Sequence, residues 1–122
     1  MTISFDNETP IYLQVAQIIR DAVVAGDLPE GQAIPSVRHL SVEQGLNPQT
    51  VLNATRLLLD EGILEKRRGV GVFVHEGARK TLLAAELKQF KGNDLPAMVK
   101  RAQLLGLSRS ATLDLVKARF KE

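Results

Sequence analysis

The chain has 122 residues, enough for one ordinary domain or a small domain with an appendage, and too few for a large enclosed active site. Hydrophobic residues make up 44% and charged residues 25%, globular values that argue against disorder, while aromatics are only 4% with no Trp, so the core must be aliphatic. The absence of cysteine excludes disulfides, thiolate metal sites and a cysteine nucleophile, and the net charge of +2 by itself selects no partner.

No apolar run approaches the ~18 residues of a membrane span. The start, Met1-Thr2-Ile3-Ser4-Phe5-Asp6, lacks the basic and then apolar regions of a secretion signal. These features lead us to expect a cytoplasmic protein with no membrane partner. Charge is unevenly spread: residues 1–29 carry one Arg against four acids, 30–75 carry five basic against five acidic, and 76–122 carry ten basic against five acidic. Such asymmetry suggests a partner for the basic part, although a solvated surface explains it equally well.

Taken in chain order, residues 10–25 are predicted helical. Ile11, Val15, Ile18, Ala22 and Val23 form one stripe of a 3.6-residue period. Thr9 is the expected cap, Pro10 sits in the first turn, and Gly26 ends the helix. A turn follows over Asp27–Gly31. Ser36 offers a cap for a short helix over about 36–44, with Val37 and Leu40 facing in and Gly45 stopping it. Asn47-Pro48 opens the next helix, which runs to about Glu61 and ends at Gly62. Two helices joined by so short a turn form a helix-turn-helix. The stretches 63–67 and 70–74 are β-prone and separated by Arg68-Gly69, predicting a small hairpin. Three short helical stretches follow. Leu83, Leu87 and Phe90 mark the first, with a break expected at Gly92-Asn93-Asp94. Leu95, Met98, Val99, Ala102 and Leu105 mark the second, and Leu113, Val116 and Phe120, capped by Ser108, the third.

Residues 47–61 divide on a helical wheel into Val51, Ala54, Thr55 and Leu58 on one side and Gln49, Asn53, Arg56 and Asp60 on the other. A helix fits the B-DNA major groove, and Asn, Gln and Arg make paired hydrogen bonds to base edges. The start of the second helix usually makes those contacts. A plain amphipathic helix with a solvated polar face would show the same division. Ser36 and Arg38 open the preceding helix, where a hydroxyl, free N–H groups and the helix dipole suit a phosphate. The bland alternatives are an N-cap for Ser36 and an ion pair with Glu43 for Arg38. Lys66, Arg67 and Arg68 sit at the hairpin tip beside Gly69 and Gly71. A basic hairpin next to a helix-turn-helix is the wing of a winged helix, able to lay cations on the backbone or reach the minor groove.

These residues resemble a known family. Pro10-Ile11-Tyr12-Leu13-Gln14, Gly26-Asp27-Leu28, Gly31, Pro35-Ser36-Val37-Arg38-His39-Leu40, Asn47-Pro48-Gln49-Thr50-Val51, Ala54, Leu58, Glu61-Gly62 and Gly69-Val70-Gly71-Val72-Phe73-Val74 look like the N-terminal domain of GntR-type transcription regulators. The resemblance covers about residues 10–74 in order and spacing. The Asn-Pro-x-Thr opening and the short helical tail resemble the YtrA-type subfamily. The resemblance implies a bacterial homodimeric repressor, often of a neighbouring transporter operon, bound to a palindromic double-stranded operator. By position it implies DNA contacts for Arg38, for Asn47, Gln49 and Thr50, and for Arg68 and Gly69 at the wing tip. Many relatives have Ser-Arg or Thr-Arg where this chain has Asn47-Pro48, and some have Arg or Lys where it has Leu52.

The rival chemistries fall short. Gly69-Val70-Gly71 lacks the third glycine of G-x-G-x-x-G, because position 74 is Val, and no long helix opens immediately after it. His39 and His75 lie too far apart in sequence for metal-ligand spacing, and no G-x-S-x-G elbow occurs. No cofactor, metal or enzymatic activity is therefore expected. A winged helix used for protein or RNA contacts is the competing reading. The polar outward face of helix 47–61 and the lack of stacking aromatics there favour duplex DNA.

The expected architecture is mostly α with a small β-hairpin. A winged helix-turn-helix domain over 1–75 is followed by a short α-helical dimerisation region over 76–122. No tail helix is long enough to stand alone; the three must pack on each other, on residues 10–25 or on a second chain, and Leu83, Leu87 and Phe90, with Leu113, Val116 and Phe120, are expected to pair with a second chain, a monomeric helical cap over the winged helix being the bland alternative. Any small-molecule effector is expected at the dimer or inter-domain interface.

Overall fold

The computed structural model describes residues 8–121. The first six residues, on which the expectation of no secretion signal rests, lie outside the described residues. The described elements are α1 (Ile11–Ala25), α2 (Val37–Gln44), α3 (Pro48–Asp60), β1 (Leu64–Arg67), β2 (Gly71–Val74), α4 (Ala78–Gln89), a π-helical turn (Phe90–Asp94), α5 (Leu95–Leu104) and α6 (Arg109–Arg119). By packing, the chain divides into two compact units between Leu83 and Ala84.

In the first unit α3 packs against α1 and α2. Val51, Ala54, Thr55 and Leu58 are all buried, the inward face expected from their spacing. Fully burying a leucine such as Leu58 is worth ~1.5–3 kcal/mol. On α1 the buried set is Val15, Ala16, Ile19 and Val23, so the expected stripe is rotated. Ile18 and Ala22 turn instead toward a groove beside α2, and Ile11 is 47% exposed. The helix is apolar over more than one side, and the core takes the side that faces α3. Pro10, not Thr9, takes the N-cap position, and no side chain caps α1. The Leu13 and Gln14 N–H groups donate to the Pro10 carbonyl, and Gln14 Nε2 donates to the Thr9 carbonyl at 2.7 Å. Arg20 joins α1 to the end of α3, its guanidinium donating to both carboxylate oxygens of Glu61 at 2.8 and 2.9 Å.

The turn between α2 and α3 follows from its caps. Ser36 Oγ accepts the His39 N–H at 3.0 Å, and Asn47 Oδ1 accepts the Gln49 N–H at 2.8 Å. Both satisfy N–H groups that a helix start leaves free. Gly45 has φ 65°, a left-handed conformation costly for other residues, and the Leu46 N–H returns to the Ser41 carbonyl at 2.9 Å. Buried Ser41 donates its hydroxyl to the Arg38 carbonyl at 3.0 Å.

β1 and β2 pair antiparallel, with Leu64 opposite Val74, Glu65 opposite Phe73, Lys66 opposite Val72 and Arg67 opposite Gly71. The turn closes through the Val70 N–H on the Arg67 carbonyl at 3.0 Å, with Gly69 at φ 75°. A third segment, missed in the sequence, extends the sheet. Ala33 bridges Phe73, the Ile34 N–H donates to the Val72 carbonyl, and the Val74 N–H to the Gln32 carbonyl. Leu64 and Val74 close the core together with Ala78 and Leu82 from the start of α4.

The expected break at Gly92-Asn93-Asp94 does not occur. The chain stays helical from Ala78 to Leu104, widened through the π turn. Glycine in a helix interior lowers propensity by ~1 kcal/mol, a cost that need not end the helix. Pro96 lies just beyond the turn. In a regular helix its ring would press on the carbonyl four residues back, and a single wide turn relieves that clash. α6 starts as expected, with Ser108 Oγ accepting the Ala111 N–H at 3.1 Å.

Candidate nucleic-acid interface

The helix pair presents Arg38 from the first turn of α2, exposed, with no ion pair among the described residues. Glu43, the acid that competes for it in the sequence, is taken by His39 one turn away, Nε2 to Oε2 at 2.7 Å. Arg38 is thus held by backbone position while its guanidinium stays available. The Ser36 hydroxyl oxygen is engaged as the cap, and the Val37 and Arg38 N–H groups beside it have no hydrogen bond among the described residues.

At the start of α3, Asn47 and Gln49 are exposed, and Thr50 and Asn53 are half-buried. Asn47 is occupied in capping. Gln49 Nε2 donates to Asn53 Oδ1 at 3.0 Å, one turn apart. That leaves Gln49 Oε1 to accept and Asn53 Nδ2 to donate, both from the outer face. Arg56 follows on that face, exposed and without an ion pair among the described residues.

The wing splits its basic run. Lys66 and Arg68 are exposed and unpaired among the described residues. Arg67 is not free: its Nη2 meets Glu65 Oε1 at 2.9 Å, and its guanidinium lies 4.1 Å from the centre of the Phe73 ring. His75 Nδ1 approaches the other Glu65 oxygen at 3.2 Å. The hydrogen bond from Arg67, and then that from His75, hold the Glu65 carboxyl below its ordinary range. Strand alternation explains the split, since Glu65 and Arg67 lie two residues apart on one face while Lys66 points to the other. At the tip, Gly69 is joined by Val70, which is 67% exposed and was not singled out in the sequence.

Hydrogen bonds and ion pairs join members within the α3 group and within the wing, and none joins the two groups among the described residues. The fixed polar atoms and unpaired cations suit the edges and phosphates of a nucleic acid, and need no metal or catalytic base.

In the second unit, Phe90, Leu113, Val116 and Phe120 line one apolar groove of about 570 Å³ between α5 and α6. Leu87 lines a separate hollow, and Leu83 belongs to the first unit. Among the described residues from 84 onward, Ala102 alone is buried.

The family model for bacterial regulatory proteins of the gntR family matches residues 11–74. The chain is 34% identical over 114 residues to YhcF, an uncharacterised HTH-type transcriptional regulator of Bacillus subtilis, covering 93% of this chain and 92% of YhcF. It is 36% identical over 85 residues to the HTH-type transcriptional repressor YtrA of Bacillus subtilis, covering 70% and 65% of the two chains. The solved structure of a GntR-family regulator from Listeria monocytogenes superposes with a TM-score of 0.77 at 27% identity, covering 95% of this chain and all of that one. The DNA-binding domain of AraR in complex with an operator matches with a TM-score of 0.55 at 26% identity, over 61% of this chain and 95% of that one.

Proposed function

This chain belongs to the GntR family of bacterial regulatory proteins, as a YtrA-like transcription regulator with a DNA-binding domain, and from that premise we propose that it is a homodimeric repressor of a palindromic operator near its own gene. In this reading the DNA-binding domain, expected over residues 1–75, also takes in the start of α4 that packs on its core, and the dimerisation region is the remainder of the tail. Gln49 and Asn53 read base edges in the major groove, with Asn47 and Thr50 at the helix start and Arg56 on the adjoining backbone. Ser36 and Arg38 hold a phosphate. Lys66, Arg68 and Gly69 carry the wing to the backbone or minor groove, with Arg67 behind them. The protein works in the cytoplasm, where its operator is.

The observation that carries this reading is the outer face of α3, where an amide pair is already oriented by its own hydrogen bond. Preset polar groups lose less entropy on binding than free ones. Dimerisation is supported by a second unit whose large apolar residues remain exposed. Three leucine-sized groups per chain, each worth ~1.5–3 kcal/mol when buried, count twice across a two-fold axis. Bacillus subtilis YtrA is a transcriptional repressor, which supports repression, and a neighbouring transporter operon is what the family resemblance implies.

A mobility-shift assay with the duplex upstream of the chain's gene tests the proposal. A shift that survives excess unrelated duplex is the expected result. A shift only with single-stranded nucleic acid, or none, overturns it.

A further inference from the structure

Within the first unit an open groove of about 480 Å³ runs between α1 and α2, beneath the loop that joins them. Its size falls in the ~300–1,000 Å³ range of small-molecule sites. Ile18, Ala22, Leu28, Ile34 and Leu40 form apolar walls; Ile18 and Ala22 are α1 residues outside the buried core cluster, and Leu28 and Ile34 pack against its edge. Three acidic residues also line it, Asp21, Asp27 and Glu43, and no Lys, Arg or His does. Among the described residues Asp21 accepts one neutral amide, from Gln17 at 2.9 Å, and Asp27 has no hydrogen bond or ion pair. Glu43 pairs with His39, Nε2 to Oε2 at 2.7 Å, and His39 does not line the groove.

We propose that this groove is a binding site for a hydrophobic organic cation, an apolar body carrying one delocalised or shielded positive charge. An anion of the same shape is repelled by the carboxylates, and a neutral one gains only the apolar walls. A compact ammonium ion loses its strong hydration there, whereas a weakly hydrated cation loses little. The occupant touches α1 at Ile18 and Ala22 and α2 at Leu40 and Glu43, so it ties together a core helix and the helix that bears Arg38. The site is separate from the nucleic-acid surface, and the inference does not rest on the proposed repressor role.

The test is an NMR titration of the full chain, labelled with nitrogen-15, using tetraphenylphosphonium and its near-isosteric anion tetraphenylborate. Tetraphenylphosphonium is expected to move the amide signals of Ala22, Ala25, Ile34 and Leu40 and to saturate, while tetraphenylborate leaves them in place. Replacing both Asp21→Asn and Asp27→Asn should weaken the cation about fivefold or more, since two surface charge contacts are lost. Ala22→Phe, which fills the groove and keeps the carboxylates, should abolish the shifts. Equal binding of both ions, an unchanged affinity in the double variant, or groove signals that respond only to protein concentration, as a second copy seated there would produce, each overturns the proposal.

Discussion

Gln49 Nε2 donates to Asn53 Oδ1 at 3.0 Å across one turn of α3, and so fixes which atoms the two amides show to solvent. Gln49 offers an acceptor and Asn53 a donor. Adenine shows the complement in the major groove, an N6 donor beside an N7 acceptor. Gln49→Ala should therefore relax preference at particular operator positions by ~1–3 kcal/mol against the wrong base, and Asn53→Ala should relax the same positions. Selection from randomised sites checks this. An unchanged profile in both variants rules out readout by the pair.

Arg38→Ala is expected to weaken binding to all duplexes alike and to lower the salt slope by about 1, the signature of one lost phosphate contact. Arg38 is exposed and unpaired among the described residues, so folding should be preserved. Circular dichroism that collapses together with binding would assign Arg38 a structural role instead.

Glu65→Gln should tighten non-specific DNA binding and raise the salt slope by about 1, because Arg67 is released and an acid beside the backbone is removed. The pH dependence has a definite sign. A carboxyl held below its ordinary range favours the folded wing above that range, and the gain disappears as pH falls through the lowered value. The wild type should thus approach the variant only under acid conditions. An unchanged slope in Glu65→Gln at neutral pH would show that Arg67 does not reach DNA.

Deleting residues 84–122 should leave a folded, monomeric winged helix. Cutting earlier would remove more than the tail. Ala78 and Leu82 are buried in the first core, and Arg79 Nε donates to the Val24 carbonyl at 2.9 Å. The truncated protein should bind a full palindrome poorly, because its half-sites are no longer linked. Light scattering showing the intact chain as a monomer at ~10–100 μM would contradict the dimer, since seams of this size associate well below that range.

The sequence carried the helix-turn-helix because each of its signals is local. The inward face of α3 follows from a clean 3.6-residue period, and Ser36 and Asn47 each hydrogen-bond as helix caps, as Ser108 does for α6 in the tail. Non-local features were hidden. α1 is apolar on two sides, and only the position of α3 decides that Ile19 is buried in the core while Ile18 stays half-buried at the groove. The segment around Ala33 is too short and mixed to announce a strand until β2 is beside it. The helix across Gly92 survives because propensity is weak beside a turn that can widen. Within the candidate site, the sheltering of Arg67 was present as an i, i+2 alternation with Glu65, masked by reading Lys66, Arg67 and Arg68 as one basic run.

The central claim, a dimeric reader of a specific duplex, is tested most directly by the affinity ratio between the chain's own promoter duplex and a scrambled duplex of equal length at physiological salt. Stoichiometry is read in the same titration. The account expects two chains per promoter duplex and a ratio of about 10³ or more. Equal affinity for the two duplexes, or one chain per duplex at saturation, would contradict it.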